Sequence, residues 1–106
     1  MTYKYMRSIL FFDLPVVKKE ERKEAAKFRR DIVKLGFYML QESVYVKMNI
    51  DPFHAERIAA KAKALAPKSG SVIIINVTEN QFQNMILLSG DKKSSVIDSS
   101  DRLVEL

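Results

Sequence analysis

Cysteine is absent from this 106-residue chain, so neither a disulfide framework nor a thiolate metal site can be built. Nothing in it points to an oxidising compartment. Histidine occurs once, at His54, which leaves a histidine-based triad or a histidine-pair ribonuclease without its parts. Glycine and proline number three each, against 47% apolar residues, a balance that describes a compact globular chain rather than a disordered one. There is no glycine-rich phosphate loop. No apolar run approaches the length of a membrane span. Met1-Thr2-Tyr3-Lys4 leads straight towards a strand, without signal-peptide architecture. The expectation is a cytoplasmic protein of one domain, residues 1–106, with a modest core.

What is present is positive charge. The formal net charge is +5 and the isoelectric point about 9.5, which favours an acidic partner, nucleic acid being the commonest. The placement of that charge depends on the elements. Residues 5–13 read as a strand, with Tyr5, Arg7, Ile9, Phe11 and Asp13 on one face and Met6, Leu10 and Phe12 on the other. Residues 19–35 read as a helix whose buried stripe is Ala25, Phe28, Ile32 and Leu35, closed by Gly36 as a left-handed cap. Residues 37–48 are too long for one ordinary strand and divide near Glu42-Ser43. Asp51-Pro52 supplies an N-cap and a first-turn proline for a second helix to about residue 66, buried through Ala55, Ile58, Ala62 and Leu65. Residues 72–77 form a strand apolar on both faces. A capping box at Thr78 and Gln81 predicts a short helical turn. A short strand at 85–88, a polar loop at 89–100 and an edge strand at 102–106 complete the chain.

The order β-α-β-β-α-β with a C-terminal extension is the α+β, ferredoxin-like arrangement, with a core of about residues 3–78 and an extension over 79–106. Two helices blanket one face of a four-stranded sheet. The first and last core strands are apolar on both sides, so the second face needs a cover. A homodimer packed through the sheet is the simplest one.

Two features carry chemistry. Asp13 ends an apolar strand, where a carboxylate is costly to desolvate without a partner. A metal ion, a basic group, backbone N–H groups or solvent would each serve. One carboxylate is not a site, but Mg²⁺ accepts one or two carboxylates and completes its shell with water and phosphate oxygens. A dimer bringing both copies of Asp13 to its axis would meet that need. The second feature is the first helix. At about 100° per residue, Lys23, Lys27, Arg30 and Lys34 form one stripe opposite the apolar face, with Arg22 and Arg29 on its flank. Such cations repel one another and attract a phosphate backbone. Ser43 lies at the strand junction, where its hydroxyl could line a cleft. Tyr3, Tyr5, Tyr38 and Tyr45 could stack on bases, although core or interface positions fit them better.

Phe12-Asp13-Leu14-Pro15, the Glu-Glu-Arg-Lys start of the helix at Glu20, Lys27-Phe28-Arg29-Arg30, Gly36-Phe37, Gln41-x-Ser43-Val44-Tyr45 and Val77-Thr78-Glu79-x-Gln81-Phe82 together resemble the CRISPR-associated protein 2 family, in members from single-effector systems. The resemblance implies a ferredoxin-like homodimer in a spacer-acquisition complex, where it bridges integrase subunits and supports a DNA duplex. It also implies, for some members, metal-dependent cleavage of DNA or RNA. Asp13 matches the family's strand-end metal ligand, Ser43 the serine of its Ser-Val-aromatic motif, and Lys23, Lys27, Arg29, Arg30 and Lys34 its nucleic-acid surface. Many relatives place another acidic or polar residue just after the Asp-x-Pro turn. Here Val16-Val17-Lys18-Lys19 follows, which favours a scaffold over a strong metal site. The expected function is therefore a double-stranded-DNA-binding adaptor with the integrase subunit as partner. The alternatives are a Mg²⁺-dependent endonuclease, and a ferredoxin-like regulatory module that binds a small ligand.

Overall fold

The computed structural model describes residues 5–90 and the backbone strand Val104–Glu105. Its elements are β1 (Met6–Asp13), α1 (Lys19–Leu35), β2 (Tyr38–Gln41), β3 (Val44–Asn49), α2 (Pro52–Leu65), β4 (Ser71–Thr78), α3 (Glu79–Gln83), β5 (Ile86–Leu87) and β6 (Val104–Glu105). The architecture is α+β and consistent with the ferredoxin-like arrangement. Four strands form one antiparallel sheet in the order β2-β3-β1-β4. The expected loop at 89–100 lies, beyond residue 90, outside the described residues. Of the expected last strand only β6 is described, and it pairs parallel with β5.

The local signals act as their chemistry requires. The Asp51 carboxylate accepts the His54 amide at 2.7 Å, which caps α2. Thr78 and Gln81 exchange side-chain to backbone bonds at 3.0 and 2.9 Å and start α3. Gly36 closes α1 at φ 112°, in the left-handed region.

Register decides which side chains share a face. Leu10 stands opposite Tyr45 on β3 and Ile74 on β4, and this face meets the helices. Its core joins Leu10, Phe12 and Tyr45 to Phe28 and Ile32 of α1, and to Ile58 and Ala62 of α2. The Phe12 ring stands edge-on to Phe28 at 5.5 Å and stacks on Tyr45 at 5.6 Å. A buried polar chain runs beside it. Ser8 donates to Asn76 at 2.6 Å, Asn49 donates to Ser8 at 2.8 Å, and the Asn49 carbonyl pairs with His54 Nδ1 at 3.0 Å. The only histidine is thus a structural partner.

The second sheet face divides in two. At one end α3 folds back over β1, so Arg7 is only 6% exposed although it points away from the two long helices. The long-helix count alone leaves this face wholly uncovered; the short helix after β4 covers the Arg7 end. At the other end the face is open. Phe11, Ile73 and Ile75 are 40%, 59% and 48% exposed, and Phe11 and Ile73 are direct cross-strand partners.

Candidate functional site

The open end of that face leads to Asp13. β1 is a central strand, and its last residue stands opposite Ser71 of β4. Asp13 is exposed, and its side chain makes no hydrogen bond or ion pair among the described residues. On the β3 side the two-residue connection Glu42-Ser43 turns the chain, and the Ser43 carbonyl accepts the Phe12 amide at 3.1 Å. The structure therefore brings Asp13 and Ser43 to the same tip of the sheet.

The loop after Asp13 is pinned rather than loose. Arg22 donates through Nη1 to the carbonyls of Val16 and Val17 at 3.3 and 2.7 Å. Glu21 Oε1 accepts the amides of Val17 and Lys18 at 3.1 and 2.8 Å. Arg22 is thus drawn into the loop, with its guanidinium on the Val16 and Val17 carbonyls and not in the row of Lys23, Lys27, Arg30 and Lys34.

Lys23, Lys27, Arg29, Arg30 and Lys34 are all exposed on α1. Lys23, Arg29, Arg30 and Lys34 form no ion pair among the described residues. Lys27 does: its ammonium lies 2.8 Å from Asp31, one turn along. The Lys27 hydrogen bond, reinforced by the charges of Lys27, Lys34 and Arg30, outweighs desolvation and holds the Asp31 carboxyl below its ordinary range. Among the described residues the stripe is therefore three unpaired cations and one paired one. Lys47, on the helix side of β3, has its pKa lowered by burial, and its ammonium bonds the Met48 carbonyl at 3.2 Å.

Sequence reasoning missed the Arg7 cluster. The Arg7 guanidinium grips Glu79 with two bonds at 2.6 and 3.0 Å, donates to the Tyr38 hydroxyl at 2.7 Å and lies 4.3 Å from the Phe82 ring centre. Burial disfavours its charge. The Glu79 hydrogen bond and the interactions with Tyr38 more than compensate, raising its pKa above the ordinary value. Gln83 adds a bond to Glu79 at 2.6 Å. The cluster anchors α3 and leaves the Asp13 end bare.

As to a metal, the described residues contain no group of three His, Cys, Asp or Glu side chains suited to hold one. Asp13 offers hard oxygen donors, which suit Mg²⁺, but within one subunit no group of three such ligands forms around it among the described residues. They do not complete a Mg²⁺ site inside one subunit; a second copy's carboxylate would have to join Asp13 for them to fit the ion.

A small α+β domain with one antiparallel sheet, helices over one face and a half-open apolar second face belongs to the ferredoxin-like class of folds. Residues 6–85 match the family described as CRISPR associated protein Cas2. A protein of Streptococcus mutans serotype c named CRISPR-associated endoribonuclease Cas2 is 42% identical over 95% of this chain and 93% of its own length. Proteins of the same name from Treponema denticola and Ligilactobacillus salivarius are 37% and 39% identical, each over 95% of this chain and 100% of their own. The chain belongs to the Cas2 family. No helix among the described residues is long and apolar enough to cross a membrane.

Proposed function

We propose that this chain is a metal-dependent endonuclease of nucleic acid, RNA foremost, that works as a homodimer. The observation that carries the reading is the place of Asp13: an exposed carboxylate without a partner among the described residues, at the margin of an apolar sheet face that they leave open. The relatives' names supply the substrate class. They favour cleavage over the adaptor role that the sequence alone put first.

A second copy packed on Phe11, Ile73 and Ile75 would remove these side chains from water. β4 is an edge strand among the described residues, and its outer backbone groups suit a partner strand. Beside that edge, Ala59, Ala62 and Ala66 leave an apolar groove of about 430 Å³ over Leu10, Val72 and Ile74. Asp13 from each copy would hold one Mg²⁺. Such an ion, when bound, supplies positive charge to the phosphodiester and acidifies water for attack at phosphorus. Lys23, Arg30 and Lys34 form the row that holds the phosphate backbone, which positions the strand without reading its sequence; Arg29, on the flank, points away from that row and is not counted with it. The hydrolysis adds water across one P–O bond: the oxygen joins phosphorus, the sugar oxygen leaves and takes up the proton.

A second reading, the duplex-DNA adaptor bridging integrase subunits in spacer acquisition, is favoured by one observation. Lys23, Arg30 and Lys34 line one face of α1 exposed and without an ion pair among the described residues, whereas no group of three potential metal ligands surrounds Asp13 among them. Asp13→Asn separates the two. On the nuclease reading, Mg²⁺-dependent cleavage of labelled RNA and DNA disappears while binding to the same strands is kept. If the wild-type protein with Mg²⁺ or Mn²⁺ cleaves neither, or the variant cleaves equally, cleavage at Asp13 is lost and the adaptor stands.

A further inference from the structure

We propose that Ser43 and Gly70 are positioning residues for Asp13, clamping the tip of β1 from both sides through their backbones, and that the Ser43 hydroxyl is dispensable. The proposal rests on the nuclease reading above, in which Asp13 holds the metal. On the β3 side, Ser43 has φ 65°, and it is the one non-glycine residue with positive φ among those described. A non-glycine residue keeps that conformation only where its surroundings over-determine it. What it achieves is visible: the turned Ser43 carbonyl receives the Phe12 amide at 3.1 Å.

On the β4 side, Gly70 has φ 86°, and a Cβ there would lie 2.6 Å from the Asp13 carbonyl oxygen, 2.9 Å from Pro15 Cδ and 3.1 Å from Leu14 Cα. These are backbone and ring atoms that cannot swing aside. Only glycine lets the turn close on Asp13 and bring Ser71 into register opposite it. Two left-handed positions, one immediately before each neighbouring strand, thus meet the last residues of the strand between them.

The reason for such a clamp lies in what Asp13 lacks. Ligands are ordinarily aimed by hydrogen bonds from a supporting shell. The Asp13 side chain has none among the described residues, so its aim falls to the backbone that carries it. A strand end held only by its ladder would fray. A carboxylate shared with a second copy needs its oxygens placed to within about 0.5 Å.

The test uses the ¹⁵N-labelled full chain and Mn²⁺ as a paramagnetic probe, with amide exchange at Phe12 and Asp13 as the second readout. Ser43→Gly removes the hydroxyl and keeps the conformation, so both readouts should stay within about twofold of wild type. Ser43→Val, a β-branched residue disfavoured at positive φ, should raise exchange at Phe12 about tenfold or more and weaken Mn²⁺ broadening around residue 13. Gly70→Ala should do the same from the other side. Asp13→Asn should abolish the broadening and leave exchange unchanged. Loss of Mn²⁺ binding in Ser43→Gly, with exchange intact, would make the hydroxyl the working group and overturn the proposal. Unchanged exchange in both Ser43→Val and Gly70→Ala would overturn it as well. Should Gly70→Ala fail to fold, the Ser43 pair decides alone. Absence of broadening around Asp13 in the wild type would remove the metal reading, and the exchange rates would still decide whether the clamp exists.

Discussion

Asp31→Asn should make nucleic-acid binding stronger and more salt-sensitive, although no positive charge is added. In the folded chain Lys27 is held by Asp31 at 2.8 Å, while Lys23, Arg30 and Lys34 of the same stripe are unpaired among the described residues. If a homodimer presents two stripes to a duplex, three free cations from each engage about six phosphates. The slope of log K against log salt is then about −0.9 per phosphate, or roughly −5 in all. Removing the carboxylate frees Lys27 in both copies, raises the count to about eight and steepens the slope to roughly −7. Between 50 and 200 mM salt, affinity should fall about 10³-fold for the wild type and about 10⁴-fold for the variant. Fluorescence anisotropy of a labelled duplex over that salt range measures both slopes. The melting temperature should move little, because the Lys27 end of the pair stands in water. A wild-type slope already near −7 would mean that the ion pair opens on binding, and would refute the assignment of Lys27 as occupied. A wild-type slope near −3 would mean that one stripe binds and the paired geometry is wrong.

Arg7→Ala should cost about 2–3 kcal/mol in urea unfolding, because it removes the two bonds to Glu79, the bond to Tyr38 and the contact with the Phe82 ring; a loss below about 1 kcal/mol would show that α3 is not anchored there. Ile73→Glu should hold the chain as a monomer in sedimentation experiments with its circular dichroism unchanged, and an unaltered oligomeric state would exclude the open face as an interface. Lys47→Met should raise the melting temperature at neutral pH, since burial lowers the Lys47 pKa in the folded state. The sign follows from linkage: the penalty is full while the amine is charged in both states, shrinks as pH rises above the folded value, and is gone above the unfolded value of about 10.5. The advantage of the variant should therefore fade at alkaline pH, and a constant difference up to that pH would contradict it.

The element order, the caps and the buried stripes of both long helices were legible in the amino-acid sequence, because each rests on neighbours a few residues apart. Asp51 reaches the amide of His54, Gln81 reaches back to Thr78, and Ala25, Phe28 and Ile32 return to one side every turn. The cationic stripe was legible for the same reason, and so was the place of Asp13 at a strand end. What only the folded chain decided depends on residues far apart in sequence. Arg7 and Glu79 are separated by 72 positions, and no periodicity in either segment announces that α3 will close over one half of the sheet. Ser43 and Gly70 are polar and small in the sequence; their bearing on Asp13 exists only once β3 and β4 lie on either side of β1. Local backbone chemistry selects helices and strands, but a site is made by side chains and turns that the sheet order brings together, and that order is settled by burial over the whole chain.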